Sequence, residues 1–121
     1  MPDKKILIVD DSPAQVKLMG DLLEHEGYLP VGLSDPRKIE EAIATEHPKV
    51  ILLDVVMPER NGFQLCRELK ANAEFSAIPV ILVTSKSSAS DQFWGQQLGA
   101  DGYVTKPFTR EELIRAVRRF A

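Results

Sequence analysis

The chain has 121 residues, 44% hydrophobic and 27% charged, with 15 Lys and Arg against 18 Asp and Glu for a formal charge of −3. That composition describes one globular domain near the modal size, and it excludes disorder and the strong basic excess of a dedicated nucleic-acid binder. The lone cysteine, Cys66, excludes an internal disulfide framework, and no apolar run reaches membrane-spanning length, so a cytoplasmic protein with no membrane partner is expected.

Ile6-Leu7-Ile8-Val9 reads as a short strand ending in Asp10-Asp11. Ser12 is placed as an N-cap and Pro13 as a first helical residue. Val16, Met19, Leu22 and Leu23 follow at helical spacing, with Gly27 placed to end the helix. Met19 is expected in the core. Leu29 to Leu33 is a weaker strand, and Pro30, which has no N–H to give, assigns it to an edge. Asp35 caps a second helix with Pro36 just inside it and Ile39, Ala42 and Ile43 on one face; His47-Pro48 ends it.

Val50-Ile51-Leu52-Leu53 is the most apolar stretch, and it runs straight into Asp54. An unbroken run of this kind suits a strand covered on both faces in a parallel sheet. A turn through Pro58 and Gly62 leads to a third helix carrying Phe63, Leu65, Cys66 and Leu69, where Cys66 is expected to pack as a small buried hydrophobe. Ile78 to Val83 is a fourth strand, ending in Thr84-Ser85. The Ser-rich loop from Ser85 to Ser90 enters a fourth helix with Phe93, Trp94 and Leu98, and Trp94 is expected to be partly buried against neighbouring helices. Gly99 to Gly102 turns into a fifth strand, Tyr103-Val104, with Lys106-Pro107 directly after it. In the last helix, Thr109 to about Phe120, Leu113, Ile114 and Val117 face inward and Arg110, Arg115, Arg118 and Arg119 outward.

Strand and helix thus alternate five times, which predicts an α/β fold with a doubly wound parallel sheet. All strand carboxyl ends of such a sheet share one rim, where ligands and chemistry gather. Asp10, Asp11, Asp54, Thr84 and Lys106 therefore converge there. Three adjacent carboxylates repel one another, and a divalent cation, an ammonium or raised pKa values relieve that repulsion. An all-oxygen set selects a hard ion such as Mg²⁺ over zinc. A carboxylate beside Mg²⁺ and a lysine is equipped to attack phosphorus and become an acyl phosphate.

Asp10-Asp11, Asp54, Met57-Pro58 with Gly62, Thr84-Ser85 and Lys106-Pro107-Phe108, in this order, resemble the receiver domain of bacterial two-component response regulators. The resemblance covers essentially the whole chain. It implies a flavodoxin-like (βα)5 fold with strand order 2-1-3-4-5 and a single receiver domain over residues 1–121 with no output domain. It implies that Asp54 accepts a phosphoryl group from a histidine kinase, with Mg²⁺ held by Asp11, Asp54 and the backbone carbonyl of Val56 and Asp10 acting through water. Thr84 and Tyr103 fall at the switch pair, with Tyr103 turning inward on phosphorylation, and Lys106 at the phosphate-binding lysine. The resemblance also implies a cis Lys106–Pro107 peptide. A partner protein would dock on the fourth helix, fifth strand and fifth helix, with no direct nucleic-acid contact. The chain is further similar to stand-alone chemotaxis and pilus-motility regulators, through Phe93-Trp94-Gly95 and Gln97 to Asp101.

Such a protein catalyses its own phosphotransfer and dephosphorylation but is not a turnover enzyme. Two other classes stand beside it. An aspartyl-nucleophile phosphohydrolase would want a second acid near the nucleophile and a cap, where this chain has Val55-Val56 and little length. A flavin-binding flavodoxin relative would need a phosphate-cradling loop where the chain has Asp10-Asp11-Ser12-Pro13.

Overall fold

A computed structural model describes residues 4–121. Five strands, β1 (Lys5–Val9), β2 (Leu29–Leu33), β3 (Val50–Leu53), β4 (Val80–Thr84) and β5 (Gly102–Thr105), form one sheet in the order β2-β1-β3-β4-β5. Every pairing is parallel. The helices are α1 (Pro13–His25), α2 (Ile39–Glu46), α3 (Gly62–Ala71), α4 (Ala89–Gln97) and α5 (Arg110–Arg118). No helix among the described residues is long and apolar enough to cross a membrane.

Alternate side chains of each central strand leave the sheet on opposite faces, so β1, β3 and β4 must be apolar on both. Ile6, Ile8, Val50, Leu52, Ile81 and Val83 pack with α1 and α5, through Met19, Leu23, Leu113, Ile114 and Val117. Leu7, Val9, Ile51, Leu53, Val80 and Leu82 pack on the other face with Ile39, Ile43, Leu65, Cys66 and Leu69. Burial of each such side chain contributes about 1.5–3 kcal/mol relative to exposure, which fixes the strand register and, through it, the height at which each strand end emerges. Met19 and Cys66 are buried and the α5 arginines exposed, as the spacing predicts.

Local chemistry stops and starts the helices. The Ser12 hydroxyl accepts from the Gln15 N–H at 3.3 Å, and the Asn61 side chain accepts from Phe63 and Gln64. Reciprocal capping boxes open α4 (Ser88 with Asp91) and α5 (Thr109 with Glu112). Gly27, at φ 91°, supplies the left-handed turn after α1.

Three details differ from the sequence reading. Asp35 caps a short 3-10 turn (Pro36–Lys38), and α2 proper starts at Ile39. The fourth strand begins at Val80, because the Ile78 and Pro79 stretch still belongs to a turn in which Phe75 is buried. Trp94 is 53% exposed rather than packed between helices, and Phe93 is 59% exposed. The cause is α4 itself, which buries only Gly95 against the sheet and turns its aromatic residues to solvent.

Candidate phosphoacceptor and metal site

β1, β3 and β4 deliver Asp10, Asp54 and Thr84 to one rim of the sheet, and all three side chains are buried. Ligand oxygens of Asp10, Asp11 and Asp54 lie within 4.8 Å of one another. Lys106, just beyond β5, reaches back across them. Its Nζ stands 2.6 Å from Asp10 Oδ2 and 3.5 Å from Asp54 Oδ2. The Lys106–Pro107 peptide is cis.

The three carboxylates are not equivalent. Both oxygens of Asp10 are engaged, Oδ2 by Lys106 and Oδ1 by the Ser12 N–H at 3.0 Å. Asp11 is exposed, and its side chain makes no hydrogen bond or ion pair among the described residues. Asp54 is 7% exposed, and its Oδ1 accepts weakly from the Val56 N–H at 3.3 Å. Burial pushes the Asp54 carboxyl above the ordinary range against the pull of the Lys106 ammonium; the Asp10 charge adds to the rise, while Thr84 and the Val56 N–H hold it down.

These groups fit a hard cation. The donors are all oxygens, and Asp11 is left free to ligate directly while Asp10, already occupied, is suited to act through water. The Val56 carbonyl accepts no hydrogen bond among the described residues, although the neighbouring Val55 and Pro58 carbonyls accept from Gly62 and Arg60. Gly62 allows this loop to close: a Cβ there would lie 2.1 Å from the Asp54 carbonyl oxygen.

Thr84 is fully buried, and its hydroxyl accepts from the Lys86 N–H at 3.3 Å. Tyr103 is half-buried, with its ring against Gly95 and its hydroxyl donating to the Lys86 carbonyl at 2.5 Å. Burial, together with the Asp91 and Asp54 charges, pushes its phenol up to about 12, so it stays a donor throughout the neutral range.

Two polar clusters escaped the sequence reading. Arg60 bridges Glu40 and Glu68 at 2.9 Å each. Lys70 pairs with Asp101 at 2.7 Å and donates to the Ser76 and Ile78 carbonyls, fastening α3 to the turn between α4 and β5. Neither has a motif, since the partners come from different elements; the only sequence signal is an Arg inside the loop that follows Asp54.

A five-stranded parallel sheet with three aspartates and a lysine on its carboxyl rim defines a class. The chain belongs to the response regulator receiver domain family, whose pattern matches residues 6–118. It is 42% identical to Protein PilH of Pseudomonas aeruginosa over 113 residues, which cover 93% of each chain. It superposes on the chemotaxis protein CheY4 of Vibrio cholerae with a TM-score of 0.90 at 27% identity, over 99% of this chain and 100% of that one. For the BeF3-activated N-terminal receiver domain of Klebsiella pneumoniae RstA the TM-score is 0.89 at 29% identity, over 96% and 97%. Receiver domains are signalling proteins rather than turnover enzymes; they take phosphate from histidine kinases and bind Mg²⁺ at an acidic pocket.

Proposed function

We propose that this protein is a phosphoacceptor switch in which Asp54 takes the phosphoryl group of a histidine kinase. The observation that carries the reading is the buried Asp54 carboxylate, grouped with Asp10 and Asp11 and faced by the Lys106 ammonium. An Asp54 oxygen attacks phosphorus; the bond from phosphorus to the kinase imidazole breaks and the imidazole leaves with its electron pair. The kinase histidine is regenerated and Asp54 becomes an acyl phosphate. Lys106 faces the oxygens on which charge builds, and the Thr84 hydroxyl is available to the transferred group. Asp11, Asp54 and the Val56 carbonyl would hold Mg²⁺, with Asp10 acting through water. When bound, that ion offsets charge on the phosphoryl oxygens.

The output is a docking surface on α4, β5 and α5, worked by Thr84 and Tyr103 of the receiver domain that spans residues 6–118. Two exposed aromatic residues on α4, Phe93 and Trp94, support that surface. The pathway is pilus-based motility or taxis. Similarity to Protein PilH and to a chemotaxis protein supports it. The test is transfer from candidate histidine kinases of the host, each first labelled with radioactive ATP. Label moving within seconds to the wild-type chain, and not to Asp54→Ala, supports the reading; label from no kinase reaching the chain contradicts it.

A further inference from the structure

The loop from Asp54 to Gly62 carries both the phosphoacceptor and the free carbonyl of Val56, yet little inside the loop holds it. Its internal bonds are two between backbone groups, Gly62 N–H to Val55 O at 2.9 Å and Arg60 N–H to Pro58 O at 2.8 Å, and the long Val56 N–H to Asp54 Oδ1 contact at 3.3 Å. Glu59 sits at φ 72°, a left-handed conformation that a residue with a Cβ adopts at a cost of order 1–3 kcal/mol. Such a conformation persists only where surrounding contacts over-determine it.

Those contacts converge on one side chain. The Arg60 guanidinium donates to Glu40 Oε1 and Oε2 at 2.9 and 3.0 Å, to Glu68 Oε1 at 2.9 Å, and to the Pro36 carbonyl at 3.3 Å. It therefore ties the loop to the start of α2, to the 3-10 turn before it and to the middle of α3. A second, more exposed bridge, Arg37 to Glu59 at 3.2 Å, pulls on the same loop from the same side. Arg60 is largely covered, at 22% side-chain exposure, while Glu40 and Glu68 are 46% and 50% exposed, so the fork geometry and its several partners, more than weak screening, hold the loop.

We propose that Arg60 is a positioning residue for the Mg²⁺ site. By fixing the loop through Glu40 and Glu68, it sets where the Val56 carbonyl stands relative to Asp11 and Asp54. The inference rests on the reading of that site as a Mg²⁺ site. Mg²⁺ accepts only near-octahedral ligands at about 2.0–2.1 Å, so a small displacement of one carbonyl lowers affinity. Supports one step removed from a metal commonly alter its affinity by about 10–100-fold.

The test is Mg²⁺ calorimetry on the wild type, Arg60→Gln, Arg60→Lys, Glu40→Gln and Asp11→Asn, with thermal melting and amide NMR of Val56 and Met57 for each. Arg60→Gln is expected to weaken Mg²⁺ by about tenfold or more and to shift the two amides before any metal is added. Arg60→Lys, which keeps the charge but loses the fork, should recover only part of the affinity, and Glu40→Gln should weaken it less than Arg60→Gln. Should Arg60→Gln fail to fold, the Lys and Glu40 variants carry the same comparison. A lower Tm with wild-type Mg²⁺ affinity in the Arg60 and Glu40 variants would reduce Arg60 to a structural bridge and overturn the inference alone. A flat titration of the wild type would overturn the metal site itself, and the inference with it.

Discussion

The Tyr103 hydroxyl donates to the Lys86 carbonyl at 2.5 Å, tying β5 to the loop that follows Thr84. The loop is anchored from its other side by the Thr84 hydroxyl, which accepts from the Lys86 N–H. Whatever moves Thr84 therefore pulls on the segment that leads into α4. That helix is lightly held, with only Gly95 buried, so its shift costs little packing. A phosphoryl group on Asp54 would add reach and acceptor oxygens able to draw the Thr84 hydroxyl toward it. Beryllofluoride, a stable phosphoryl mimic, should change amide exchange across residues 84–105, and Tyr103→Phe should weaken protection of the loop even before the mimic is added. Changes confined to the immediate neighbours of Asp54 would contradict the proposed output surface.

Val56, an apolar side chain two residues after the proposed phosphoacceptor Asp54, is 53% exposed, which makes it a candidate to border the path of an attacking water. A side-chain amide there can hold that water in line, as positioned polar groups do in hydrolysis. Val56→Asn should shorten the half-life of the phosphorylated protein several-fold, measured by loss of label after the donor is removed. An unchanged half-life would show that water reaches phosphorus from elsewhere.

Asp54 provides a pH test that needs no phosphodonor. Burial raises its carboxyl above the ordinary 3.8. Below that value both folded and unfolded chains hold the proton, and ionisation costs nothing. Between it and the raised native value, only the folded chain holds the proton, so stability falls as pH rises; above, the full cost persists. In metal-free buffer, Asp54→Asn should melt above the wild type at pH 7, and the gap should shrink as pH falls to about 4. A gap of constant size from neutral to acid pH would mean that the Asp54 charge carries no net penalty.

Gly62 opens α3 directly over the backbone of Asp54. A Cβ would stand 2.1 Å from the Asp54 carbonyl oxygen and 2.5 Å from Val55 Cα, and backbone atoms cannot swing aside as a side-chain end can. Gly62→Ala should cost about 1–3 kcal/mol or more in urea unfolding and should reduce Mg²⁺ affinity, because the loop must shift to relieve the clash. Wild-type stability in this variant would show that α3 has room to retreat.

The fold was legible because β1, β3 and β4 are apolar on both faces and alternate with helical patterns, a combination that suits a parallel sheet covered on both sides. The convergence of Asp10, Asp54 and Lys106 followed from the same logic, since strand ends in a parallel sheet share a rim. Arg60 and Lys70 were not legible: their partners, Glu40, Glu68 and Asp101, lie 8 to 31 residues away, and periodicity says nothing of such pairs. Trp94 failed for another reason. Aromatic residues are usually drawn inward, and nothing in the composition of α4 announces that its buried face is a single glycine packed against Leu82 and Tyr103.

Phosphoryl transfer to Asp54 tests the central claim most directly. Intact-mass spectrometry of the protein treated with acetyl phosphate and Mg²⁺ should show one added phosphoryl group, absent when the metal is chelated and absent in Asp54→Ala. Addition that persists in Asp54→Ala, or a wild type that stays unmodified under conditions that label another receiver domain, would contradict the account.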